Sequence, residues 1–352
     1  MLIKPTVSFR AEYATAAGLP TDRTRTETAA APTVPATAAR AVADQAVLVP
    51  SKIPDLLRFE STADHVGRAS QFKSVATSVG RALQFAGPPI LGQFQAERYD
   101  AMRAVMSDVD LFQIDLLLGN AGSDTERAYL KKALVAGNTG YDLDWFAEQI
   151  RGKDPSWLRA NLRLVNDSKE GSKGLTQQWA NGGAPAAAQV IRGELDPVFA
   201  LRVRQGNADV TAIDPTSNLA VGQAQMLGAA GSTYSTMSPR DAINILGYPG
   251  TGLVYTTRNG YRNTAVIDVI NRDIAVGVPV AIRLDDQDVG DHVLVITGYI
   301  GPDPRIRDPY AKVTYVAHDP RDGRTVFLDR HQLALDTQFG APNGISELYA
   351  RP

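Results

Sequence analysis

The sequence predicts an α+β protein, with helices first and an antiparallel sheet later. Three observations carry this. Apolar residues recur three and four apart through the middle of the chain, as at Met102, Val105, Met106, Val109, Phe112 and Leu116. Runs rich in Val, Ile, Tyr and Thr gather between Pro279 and Leu328, separated by Gly, Pro and Asp turns. Helical and extended patterns are also segregated along the chain, which excludes the regular alternation of a Rossmann-type α/β fold.

Taken in order, residues 1–50 are rich in Ala, Thr and Pro, as in Thr28-Ala29-Ala30-Ala31-Pro32, and hold few large apolar side chains. Ordering such a segment buries little surface against its entropy cost, so a flexible leader is expected. Residues 51–165 read as a helical accessory domain. The Gln95–Leu118 stripe is followed by Ser123-Asp124-Thr125-Glu126, a capping box, for a helix stopping near Gly137. A helix over 143–150 ends at Gly152, and Asp154-Pro155 opens another through Leu164. Polar residues from Asn166 to Lys173 read as a linker, placing a second domain at 174–352. There, helices are expected over 185–192, 218–229, 238–246 and 264–275, and strands over 279–284, 292–299, 312–317 and 325–328.

Composition narrows the function classes. The 352 residues are 44% hydrophobic and 21% charged, enough for roughly two domains with full cores. A net charge of −2, from 36 basic and 38 acidic residues without a long single-sign block, argues against a nucleic-acid partner. No apolar run approaches the ~20 residues of a membrane span. The chain has no cysteine, which removes disulfides, thiolate metal sites and any cysteine nucleophile. Its four histidines, His65, His292, His318 and His331, lack ligand spacing. Neither a metal nor a cofactor is expected. Asp285, Asp286, Asp288 and Asp291 lack EF-hand spacing and read as a solvated loop.

The informative stretch is Gln177-Gln178-Trp179-Ala180-Asn181-Gly182-Gly183-Ala184-Pro185. Pro185 suits a first helical turn, and the residues before it meet the positive end of a helix. Asp291-His292-Val293-Leu294-Val295-Ile296-Thr297-Gly298-Tyr299 sets a histidine at the start of a strand, and His318-Asp319-Pro320 closes a later one. Each has a plain structural reading: Gln177 or Gln178 in a loop, Gly183 in a turn, His292 at a strand edge, Asp319 as a turn former. His318 reads as structural, and Trp179 packs or lines a cleft.

Together and in this order, the three pieces resemble the papain-like cysteine peptidases, in particular their bacteriocin-processing (C39-like) branch. That family's pattern is a glutamine, five residues, the nucleophilic cysteine and a Gly-Pro leading into a helix. Here Gly183 occupies the cysteine position and Ala184-Pro185 replaces Gly-Pro. Asp291 replaces the usual glycine before the histidine. The resemblance covers 174–352 and implies a papain-like domain behind the helical domain and leader. It assigns His292 as general base and acid, Asp319 as its orienting carboxylate, Gln177 as oxyanion donor and Trp179 to substrate binding.

The resemblance implies thiolate acyl transfer on protein or peptide substrates in a bacterial effector or toxin. The chain itself lacks the nucleophile, as in a disarmed variant or a pseudoenzyme. A deamidase or transglutaminase on the same triad and a non-catalytic peptide-binding pseudoenzyme are the alternatives. Synthesis in the bacterial cytoplasm is expected, because Met1–Pro20 lacks a signal-peptide core. Export by a specialised system would add a secretion machine or cognate inhibitor as a partner.

Overall fold

A computed structural model describes residues 89–179, 182–229, 239–246, 256–259, 265–284, 292–306, 312–330, 333 and 345–352, with the backbone alone at 257–259, 292 and 346. The leader, the first part of the helical domain and the acidic loop at 285–291 lie outside the described residues.

The helices begin with α1 (Gln93–Arg103), α2 (Asp108–Gly119), α3 (Asp124–Val135), α4 (Gly140–Ile150) and α5 (Pro155–Asn161). The stripe expected as one pattern over 95–118 is two helices. Ser107 breaks it, its extended backbone and side-chain oxygen capping the Asp110 N–H at 3.2 Å. Ser123 caps the Glu126 N–H at 3.1 Å, but Glu126 bonds the N–H groups of Gly122 and Gly152, closing only half of the expected box. Asp154 caps Trp157 as the sequence anticipates.

Next come α6 (Gly183–Leu195), α7 (Pro197–Gly206), α8 (Asn218–Ala229), α9 (Pro239–Leu246) and α10 (Ala265–Ala275). The strands are β1 (Thr256–Asn259), β2 (Val280–Leu284), β3 (His292–Ile300), β4 (Thr314–Asp319), β5 (Arg324–Asp329) and β6 (Ile345–Ala350). They form one sheet in the order β1-β6-β2-β3-β4-β5, and every pairing is antiparallel. The described residues are therefore α+β.

Strand alternation divides the core into two layers. Val280, Ile282, Leu294, Ile296, Tyr315 and Ala317 face Val266, Ile267, Ile270 and Ile274 of α10. Ala281, Val295 and Tyr349 face the other way, into a core built with α6, α8 and α9, and Val293 packs against it. Ala186, Ala187 and Ala188 are small enough to bring α6 close to the sheet.

The polar stretch read as a linker is structured. Asp167 and Ser172 are buried, Lys173 bridges Arg324, and Gly171 N–H donates to Thr325 O at 2.8 Å. Arg163 holds Asp167 at 2.5 Å and Glu194 of α6 at 2.7 Å. Val198 and Leu201 of α7 complete the core of α1–α5. The core of α1–α5 with α7 is thus a buried cluster separate from the two on the faces of the sheet.

Candidate functional site

The site begins with a strand-like passage along the 320–325 turn. Gly174 N–H donates to Gly323 O at 2.7 Å and Gln177 N–H to Pro320 O at 2.6 Å. Gly323 has φ +74°, and a Cβ there would lie 2.4 Å from Thr176 Oγ1 and 2.8 Å from Gly174 O. Only glycine fits this turn at that approach. The Gln177 segment is thereby fastened to the Asp319-Pro320 turn by backbone.

The adjacent glutamines then differ sharply. Gln178 is fully buried: its Nε2 donates to Thr176 O and Ala212 O, its Oε1 accepts from Asp214 N–H, and its own N–H donates to Gln223 Oε1. Gln223 continues to Gln189 on α6 at 3.0 Å. This amide chain ties the loop to α6 and α8, and its buried donors and acceptors are satisfied within the fold. Gln177 donates from Nε2 to Trp179 O at 3.1 Å and turns Oε1 toward residue 183. A half-turn of that amide would present the donor that an oxyanion requires. Trp179 is buried, with its indole N–H on Ala220 O at 3.1 Å, which places it in the wall of the loop.

Residues 180 and 181 lie outside the described residues. Gly182 and Gly183 then open α6, with Pro185 in its first turn. The two glycines are unlike. A Cβ at 182 would come within 2.9 Å of Trp179 O, so the backbone requires glycine. At 183 a Cβ would meet Gln177 Oε1 at 3.5 Å and Val293 Cγ2 at 3.7 Å, ordinary van der Waals contact, and φ is not positive. Neither space nor conformation demands glycine at 183.

Val293 follows His292, whose Cα pairs with Leu284 at the start of β3. Asp319 ends β4, one step beyond the Val295–His318 pair and toward the His292 end of β3. The buried Asp319 carboxylate accepts the Arg321 N–H at 2.9 Å, forming the turn expected of an Asp-Pro pair. Described contacts therefore join Gln177, Gly183, Val293 and Pro320, while the backbones of His292 and Asp319 stand at that same end of the sheet.

His318 has a structural environment. It is fully buried and its Nε2–H donates to Leu175 O at 2.7 Å. Desolvation lowers its pKa despite the raising effects of that bond and of Asp319.

A side chain at 183 would project between an amide and the opening of β3, at a helix N-terminus whose field favours an anion. As it stands, position 183 supplies no nucleophile. Among the described residues no group of three or more His, Cys, Asp or Glu is placed to hold a metal ion, and no helix is long and apolar enough to cross a membrane. Comparison with protein-family models, curated proteins and solved structures returned no match.

Proposed function

We propose that residues 174–352 form a papain-like cysteine peptidase domain of the C39-like type, inert in this chain because Gly183 stands at the nucleophile position. The observation that supports this reading is the room at 183: a Cβ added there needs no rearrangement and meets the side chain of Gln177 and the residue after His292. With cysteine there, His292 would take the thiol proton as the sulfur attacks a peptide carbonyl and give it to the leaving amine, and water deprotonated by His292 would then cleave the thioester to free the acid and the thiol. Asp319 would orient His292, and Gln177 with the 183 N–H would stabilise the oxyanion. A protein or peptide substrate, and the wider role of a bacterial effector or toxin, belong to the same reading.

The test is Gly183→Cys treated with a peptidyl vinyl sulfone and read by intact mass. One adduct is expected, forming at least ~10²-fold faster than with Lys169→Cys, an exposed control, and slowed by His292→Ala. A folded Gly183→Cys protein that reacts no faster than the control contradicts the proposal.

A further inference from the structure

Two arginines are buried among the described residues, and the fold treats them oppositely. Arg163 is neutralised by carboxylates, with Asp167 at 2.5 Å and Glu194 at 2.7 Å. Arg321, 8% exposed, has no ion pair or side-chain hydrogen bond among the described residues, and its Nη1 is shut off from solvent without a partner. The acids beside it in sequence do not serve its guanidinium. Asp319 accepts its main-chain N–H at 2.9 Å, and Asp322 pairs with the exposed Arg324 at 3.1 Å. A guanidinium taken out of water without a counter-charge is unfavourable, and an incoming anion would offset that cost.

The backbone relates Arg321 to the candidate site. Its turn is held at both ends: Pro320 O accepts the Gln177 N–H at 2.6 Å, and Gly323 O accepts the Gly174 N–H at 2.7 Å. Gly323 lies too close to Gly174 and Thr176 to admit even a Cβ, so the turn is fixed against that segment. Gln177 in turn directs Oε1 toward position 183. Arg321 is therefore one residue from the backbone contact that seats Gln177.

We propose that Arg321 binds a carboxylate of the ligand that occupies the candidate site, either an Asp or Glu side chain or the terminal carboxylate of a peptide. The planar guanidinium matches a carboxylate through two parallel N–H···O bonds, which a lysine would not reproduce. Exclusion of water strengthens that pairing. A single unpaired arginine matches a single negative charge, whereas phosphorylated groups carry more charge and are taken by arginine clusters. That a peptide carries the carboxylate rests on the peptidase reading; the carboxylate site itself does not.

The test uses the unmodified chain, prepared with isotope-labelled arginine, and follows the Nε–Hε cross-peak of Arg321 by NMR. Its loss in Arg321→Lys assigns the peak, and through-bond correlation to the backbone assigns it if that variant does not fold. N-acetylalanine presents a terminal carboxylate, N-acetylglutamic acid α-amide a side-chain carboxylate, and N-acetylglutamine amide neither. At least one of the two carboxylates is expected to shift the peak saturably, with an apparent affinity about tenfold above that of the neutral amide or inorganic phosphate. The tighter of the two identifies the source. A peak that no probe moves, or that the neutral amide moves equally, would mean that internal water alone solvates the guanidinium and would overturn the proposal. Tighter binding of phosphate would overturn it as well. Carboxylate binding alongside a Gly183→Cys thiol no more reactive than its control would keep this site and remove the peptidase reading; the reverse pair of results would do the opposite.

Discussion

At the scale of single residues, the glycines of the candidate site separate structural need from vacancy. Gly182 is dictated by Trp179 O, and Gly193 by Leu164, whose Cγ and Cδ1 would lie 2.7 Å from an added Cβ. Gly183 meets no such wall. Gly183→Ala should leave stability unchanged or raise it by up to about 1 kcal/mol, by restricting the unfolded chain. Gly182→Ala and Gly193→Ala should each cost about 1–3 kcal/mol through forced displacement. Urea denaturation of the three variants checks this contrast. It is invisible in Asn181-Gly182-Gly183-Ala184, where the two glycines read alike. The distinction between Gln177 and Gln178 is equally hidden, because it depends on Ala212, Asp214 and Gln223, which are remote in sequence.

Among elements, the terminators are readable in the sequence and the partnerships are not. Gly137 and Gly152 lie at positive φ, where the sequence places helix ends. Helix α7 carries the same Asp-Pro opening as α5 and is absent from the expected elements, although Asp196 is its N-cap. Its carboxylate accepts the N–H groups of Val198 and Phe199 and the Asn138 amide at 2.9 Å. Asp196→Ala should therefore cost about 2 kcal/mol, the upper end for a cap, measured by thermal or urea unfolding. Asp196→Asn should recover part of that loss. The strands β1 and β6 are also absent from the expected elements, for another reason. β1 has only 4 residues, and β6 joins the sheet between β1 and β2 through long-range pairing that no local pattern encodes. The apolar stripe of 95–118 shows the limit of periodicity, which identifies an apolar face without saying what lies against it.

For the whole molecule, the described residues gather around three buried clusters, one of α1–α5 with α7 and one on each face of the sheet. Polar composition at 166–173 suggests a solvated linker, whereas Asp167 is drawn inward by Arg159 and Arg163, and Arg163 reaches Glu194. Burial opposes ionisation of Asp167, but Arg163 and Arg159 outweigh it and lower its pKa. Nearby, burial pushes the Lys132 ammonium down to about 8, against the raising influence of Glu194. The unfolded chain binds more protons at this lysine between about pH 8 and its ordinary value, so its contribution to stability rises with pH over that interval. At pH 7 the folded protein carries a buried charge at a net cost. Lys132→Met should stabilise at pH 7 by up to about 3 kcal/mol, and the gain should shrink from pH 8 to pH 10. Equilibrium unfolding at both pH values reads this directly; an advantage that grows with pH would contradict the sign.

The arrangement around position 183 is the central claim, and the pH dependence of a thiol placed there tests it most directly. Gly183→Cys has a single cysteine, so its iodoacetamide alkylation rate reports one group from pH 4 to pH 9. Helix α6 and His292 should hold that thiol as thiolate, giving substantial alkylation at about pH 5–6, and His292→Ala should move the rise upward. A single rise near the ordinary thiol value of about 8.5, unaltered by His292→Ala, would contradict the account.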